Sequence, residues 1–260
     1  RAGIAVHWHL IVVSVLVAAS GVWAVRHFLP WGIEAQAAEP LGDEVAASPG
    51  DEPAVTPPRR RAGMRSAWTE RRTVLVGFVT LAAAFTEGTA NDWLSVAFVE
   101  GHGMPPWAGI LGFATFLTAM TIGRMLGTGL LDRHGRVPVL RATFALAVVG
   151  AALVVWGGPV FGFVGAGLWG LGASLGFPVG MSAAADDPAR AAARVSVVST
   201  IGYLAFLGGP PLLGLLGDHV GVLHSLLVVG AMVALALLAV PAVRELRPGD
   251  PEPESPGQVG

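Results

Sequence analysis

The sequence predicts an all-α membrane protein with seven transmembrane helices, and three observations carry the prediction. Of its 260 residues 53% are hydrophobic and 13% charged, with a mean hydropathy of +0.64, whereas a soluble domain has about a quarter of its residues charged. Long stretches without Asp, Glu, Lys or Arg recur along the chain, each holding the roughly 20 residues that cross about 30 Å of hydrocarbon as a helix. All sixteen basic residues are arginines, and fifteen of them fall in alternate gaps between these stretches.

The elements follow in order. Residues 2–25 are uncharged and form the first crossing, within a first segment at 1–27. Residues 28–72 carry acidic residues, prolines and Arg59, Arg60, Arg61, Arg65, Arg71 and Arg72. This composition predicts a disordered linker whose basic cluster either touches anionic lipid or only anchors the topology. Residues 73–99 form the second crossing, interrupted by Glu87 and Asp92, and residues 101–123 the third. Residues 142–185 are uncharged over 44 positions, twice what one crossing needs, and Gly157, Gly158 and Pro159 mark a fold-back into two helices. Residues 195–217 and 219–243 complete the set, leaving 73–243 as a six-helix bundle and 244–260 as an acidic, proline-rich, disordered tail.

Threading these crossings puts Arg26 to Arg72, Arg124 to Arg141, Arg190, Arg194, Arg244 and Arg247 on one side of the membrane. The positive-inside rule makes that side the cytoplasm, with the C-terminus inside. The chain starts with Arg and enters a helix at once, which reads as part of a longer protein. With no cysteine there is no thiolate metal site. His7 and His9 point to different helix faces, which disfavours a shared metal, and no phosphate loop or nucleic-acid module is present.

Chemistry concentrates in residues 73–99. An ionisable group in hydrocarbon costs about 3 kcal/mol or more and marks a pathway or a partner. Glu87 falls about 21 Å along its helix from Thr73, somewhat beyond the bilayer centre. Thr80, Ala84, Glu87, Asn91 and Ser95 recur every three or four residues, a small and polar stripe suited to a water-filled cavity. A carboxyl group placed there, able to be neutral or charged, is what proton coupling requires. Glu87 is therefore expected as a proton or substrate site, the alternative being a carboxylate satisfied by a neighbouring helix. Asp92, about 140° around the helix and beside Trp93, suits a hydrated interfacial position. Ser196, Thr200 and Tyr203 share a helix face, and Thr115, Thr118 and Thr121 lie on an earlier helix. These hydroxyls either bind a polar solute or bond back to a carbonyl one turn earlier.

Gly123-Arg124-Met-Leu-Gly127-Thr-Gly129-Leu-Leu-Asp132-Arg133-His-Gly135-Arg136 resembles the loop signature of the major facilitator superfamily, which recurs between the second and third helices of each six-helix half. Thr128 and Val137 stand where the pattern has a glycine and a basic residue. Gly172 to Pro178 (GASLGFP), Ser199 to Tyr203 and Gly209-Pro210-Pro211 also look like helices ten and eleven of that family. Glu87-Gly88-Thr-Ala-Asn91-Asp92-Trp93 is similar to an element of a bacterial subgroup related to fucose permease.

The resemblance implies a secondary transporter fold in which 1–27 is helix six, the linker the central loop and 73–243 helices seven to twelve. It implies a small-molecule solute, protons as a coupling ion, no cofactor, and the N-terminal half of the same protein as partner in the bacterial inner membrane. It also implies a conformational latch at Arg124, Asp132, Arg133, Gly135 and Arg136, in which Asp132 accepts hydrogen bonds from Arg133, Arg136 or helix amides. Glycines at 172, 176 and 180 make a strip for close helix approach, and Pro178, Pro210 and Pro211 are expected to bend their helices.

Two other classes fit parts of the pattern. Gly172-Ala-Ser174-Leu-Gly176 matches the nucleophile pattern of serine hydrolases, though inside a helix rather than at a strand-to-helix elbow. A non-transporting sensor or assembly protein on a transporter-like bundle accounts for the topology equally, and does not need an acid such as Glu87.

Overall fold

A computed structural model of the chain describes residues 66–246, together with six helical, exposed positions between 14 and 23. The expected crossing at 1–27 is otherwise outside the described residues, as are His7, His9, residues 28–65 of the expected linker and the tail beyond Leu246. The chain divides into two units, Arg1–Val55 and Thr56–Gly260; the second contains everything described below.

Six helices here are long and apolar enough to cross a membrane. The first comprises α1 (Arg71–Val96) and a π-helical turn, Ala97–Gly101. It is followed by α2 (Pro106–His134), α3 (Arg136–Trp156), and α4 (Gly158–Ala173) with α5 (Gly176–Ala184) as two halves of one span. Next come α6 (Ala191–Val220), a short α7 (Val222–Ser225) and α8 (Leu227–Ala239), ending in a 3-10 turn at Val240–Val243. The fold-back expected around Gly157 is present, with Gly158 at φ +71°, a conformation that glycine adopts without steric cost.

The gap expected between Arg124 and Arg141 is not a loop. α2 continues to His134 and α3 begins at Arg136, so the chain reverses at one residue, Gly135, with φ +77°. At 29 residues α2 is about 43 Å long, more than the hydrocarbon needs, so charged residues can remain helical. Residues 66–69, within the stretch read as linker, form a helical turn closed by Glu70 N–H donating to Ser66 O at 3.1 Å. Pro210 and Pro211 lie inside α6, which stays helical through them.

α1 is the central helix. Over its apolar stretch 67% of residues are buried, against 22% for α2 and 28% for α6. Val76, Val79, Ala82 and Ala83 face a core completed by Phe116, Phe144 and Trp169. The glycine strip expected at 172, 176 and 180 serves two partners rather than one, because the span breaks at residues 174–175. Gly172 lies against Ala147 of α3, whereas Gly176 and Gly180 lie against Ala83 and Thr80 of α1. Gly202 of α6 also meets Thr80. Thr80 and Ala84 are consequently buried in helix packing rather than lining water, and Thr80 Oγ1 donates to Val76 O at 2.9 Å.

Candidate solute and proton site

The break between α4 and α5 lies one turn before Pro178. A helical residue at 178 would donate its N–H to the carbonyl of Ser174, four residues earlier, and proline has no N–H to give. The Ser174 carbonyl is thereby left over, and Arg124 of α2 donates Nε to it at 3.3 Å. Close approach of α2 makes this geometry possible. A side chain at Gly123 would come within 2.5 Å of Ser174 Oγ, and one at Gly127 would collide with Leu175. Two glycines of the loop signature thus bring Arg124 to the break.

From the same guanidinium, Nη2 donates to Glu87 Oε2 of α1 at 2.9 Å. Arg124 is therefore not a gap residue that sets topology. Both charged residues lie at least ten residues, about 15 Å, from either end of their spans, where a lone ion is costly and a pair offsets much of the cost. The pair is open on one side, with side-chain exposures of 44% for Arg124 and 21% for Glu87. Arginine has five N–H donors; two are used here, and Nη1 has no partner among the described residues.

Aromatic rings border this level of the bundle. Phe206 of α6 lies against Gly88, where a Cβ would sit 3.1 Å from the ring. Tyr203 lies tilted between Phe206 and Phe177, with centroids 6.4 Å from each, and is 57% exposed. Tyr203 thus belongs to an exposed aromatic row one residue along from Glu87 on α1 and three along from Ser174 on α5.

The remaining expected residues separate. Asn91 and Asp92 are exposed, and Trp93, expected beside Asp92 as an interfacial anchor, turns inward toward Gly214 with its indole N–H buried and without a partner among the described residues. Thr200 donates to Ser196 O at 2.7 Å, as Thr115 and Thr121 do to carbonyls four residues earlier. Ser196 is exposed on the same face. Ser174 Oγ donates to Leu171 O at 2.7 Å, which occupies the hydroxyl of the nucleophile-like pattern.

The arginine-rich end holds a second constellation that sequence reasoning missed. Asp186, in the turn after α5, accepts from Arg72 at 2.8 Å and from Arg136 at 2.8 and 2.9 Å. Arg72 also donates to the carbonyls of Ala183, Ala242 and Arg244, holding the ends of α5 and α8 together. Arg194 makes a two-pronged pair with Glu70 at 2.7 and 2.8 Å and reaches Asp187 at 3.3 Å. Arg136 therefore pairs with Asp186, and with Glu245 at 3.8 Å, instead of with Asp132. Asp132 and Arg133 are exposed, and Asp132 lines a cavity of about 690 Å³ with Arg136, Ser182 and Glu245. The available signal was Asp186-Asp187, placed where the 44 uncharged positions end.

Comparison with known proteins gives this bundle its family. The profile of the Major Facilitator Superfamily matches residues 68–259. An uncharacterised MFS-type transporter of Yersinia pestis is 32% identical over 173 residues, 65% of this chain and 44% of the relative. The membrane protein MosC of Rhizobium meliloti is 26% identical over 185 residues, covering 69% of this chain and 45% of that protein. The multidrug efflux pump Tap of Mycobacterium tuberculosis is 32% identical over 194 residues, 68% of this chain and 45% of the pump. The chain thus spans less than half the length of these relatives. By its profile match, its relatives and its six apolar helices, the chain is an integral membrane protein and belongs to the Major Facilitator Superfamily.

Proposed function

We propose that the protein to which this chain belongs is a secondary active transporter that moves a small solute by alternating access and couples it to protons through Glu87. The observation carrying this reading is the Glu87–Arg124 pair, two opposite charges deep in the bundle and open on one side. A purely structural pair has no need of exposure, whereas a site that exchanges protons or solute does. In this reading the six helices are the second half of the transporter, helices seven to twelve, and a first half supplies the opposite cavity wall. The arginine-rich end is cytoplasmic, in a bacterial inner membrane, as the distribution of arginine supports.

The latch lies at that cytoplasmic end. Arg136 and Asp186 tie α3 to α5, while Asp132 and Arg133, both exposed, are available to the other half as it approaches and withdraws. Gly135 lets the chain reverse between Asp132 and Arg136.

Proton movement in proteoliposomes containing the full-length protein tests the reading, with small sugars and cationic drugs screened as solutes. Solute-driven proton flux that disappears in Glu87→Gln is the expected result. Flux unchanged in the variant moves coupling away from Glu87, and absence of flux with every solute favours a sensor built on the same bundle.

A further inference from the structure

We infer that the solute carries an oxyanionic group, such as a carboxylate or sulfonate, which binds Arg124 when a proton occupies Glu87. This rests on the transporter reading above and names the class of its solute. The asymmetry of the pair is the starting point. The guanidinium is 44% exposed and the carboxylate 21%, so the open side of the site presents mainly the cation. Arg124 holds Glu87 through one nitrogen and the Ser174 carbonyl through another, leaving Nη1 without a partner among the described residues. The planar guanidinium fork matches a two-oxygen anion, and Glu87 uses only one of its oxygens on it.

Charge counting supplies the coupling. With Glu87 ionised the pair is neutral, and an incoming anion competes with the carboxylate for Arg124. With Glu87 protonated the site carries one positive charge deep in the bundle, which an anion neutralises. Anion and proton therefore favour each other's binding, and each must strengthen the other by the same factor. A cationic solute would meet the opposite situation, competing with Arg124 for a less exposed carboxylate.

Among the described residues no further Asp, Glu, Lys or Arg forms an ion pair with Glu87 or Arg124. Residues 142–185, 195–217 and 219–243 contain no Asp, Glu, Lys or Arg, so α5, most of α6 and α8 bring no fixed charge to the bundle. Arg124 is the charge that meets Glu87 from α2. Tyr203 is the titratable hydroxyl in the adjoining aromatic row, and Asp92 lies farther along α1, exposed.

Equilibrium binding to the full-length protein in lipid nanodiscs tests the inference, using radiolabelled methanesulfonate and benzenesulfonate, which stay ionised at every pH used. Benzyltrimethylammonium serves as the cationic counterpart. The expected result is sulfonate binding that tightens by about tenfold as the pH is lowered from 8 to 4, within the usual range of coupling between sites. Glu87→Gln should bind tightly at both pH values. Arg124→Gln should weaken binding by about tenfold or more through loss of a charge-assisted contact. Arg124→Lys, which retains the charge without the fork, should keep the pH dependence at reduced affinity, and monodisperse elution of each variant checks its folding.

Binding of neither sulfonate, or binding that survives in Arg124→Gln, overturns the inference. Benzyltrimethylammonium that binds more tightly at pH 8 and is lost in Glu87→Gln also overturns it, while leaving proton-coupled transport of a cation intact. The proteoliposome flux measurement bears on transport separately, so the transport reading and the solute class can fail independently.

Discussion

The bundle uses arginine and carboxylate twice, and the two uses differ in almost every physical respect. At the arginine-rich end, Asp186 receives two arginines and Glu70 receives Arg194 through both carboxylate oxygens, with side-chain exposures of 15% or less for Arg72, Arg136, Asp186, Arg194 and Glu70. In the middle of the span, Glu87 receives Arg124 through one oxygen and the pair is open. Losing a partner from enclosed contacts leaves a charge unpaired away from water, whereas a single open contact can be exchanged at small cost. The same residue types thus fasten helix ends in one place and form a single open pair in the other.

Removing a fastening charge should have the largest effect. Asp186→Asn leaves Arg72 and Arg136 facing a neutral side chain, and breaking a buried pair by removing one partner costs about 3–5 kcal/mol. Arg72 keeps three carbonyl acceptors, so the lower end, about 3 kcal/mol, is expected from equilibrium unfolding of the full-length protein in detergent. A loss below about 1 kcal/mol would mean that the network is as exchangeable as the central pair.

Gly123→Ala comes next, because it attacks the geometry of the central pair without touching its charges. The added methyl lies 2.5 Å from Ser174 Oγ, and overpacking of this kind costs about 1–3 kcal/mol. Moving α2 away from the break should also lengthen Arg124 Nε to the Ser174 carbonyl. Unchanged stability together with unchanged proton flux would show that the close approach is dispensable.

Much of this fold is legible in sequence because hydrocarbon imposes a simple length and composition rule. Six of the expected crossings coincide with helices, and the reversal at Gly157–Gly158 falls where the 44-residue run has to fold. The central pair was only half legible. Glu87 stands out as an acid within an apolar run, but Arg124 directly follows one, and counting charges at gap boundaries assigns it to the loop. Helices of 29 or 30 residues outrun the hydrocarbon, so a charge at the edge of an uncharged run need not lie at the edge of the helix. The Asp186 network joins residues 50 and 114 positions apart, and one sequence does not encode which distant charges meet. One signal was readable in principle: Pro178 frees the carbonyl at 174, and a freed carbonyl within a membrane needs a donor.

Glu87→Gln should separate the regions most cleanly by stability. An amide can still accept from Arg124, and solvent on the open side stabilises the unpaired guanidinium, so thermal unfolding should shift less than in Asp186→Asn while proton flux is lost. If unfolding shifts as far as in Asp186→Asn, the central pair is a fastening too.

The smallest expected effect concerns the carbonyl that both halves of the broken span share. Pro178→Ala restores an N–H four residues beyond Ser174, and a backbone hydrogen bond between them would compete with Arg124 for the Ser174 oxygen. The net gain of such a bond is about 1 kcal/mol, partly cancelled by losing the arginine contact, so stability should rise by only a few tenths of a kcal/mol. Hydrogen exchange gives the sharper readout. A protected amide at position 178 means that the helix has closed over the break and left Arg124 with Glu87 alone; a rapidly exchanging one means that the close packing of Gly123 and Gly127, rather than the missing proline N–H, holds the break open. In the first case the opening between α4 and α5 is a property of one residue. In the second it belongs to the helix contact, and the arginine reaches its carbonyl because α2 is pressed against it.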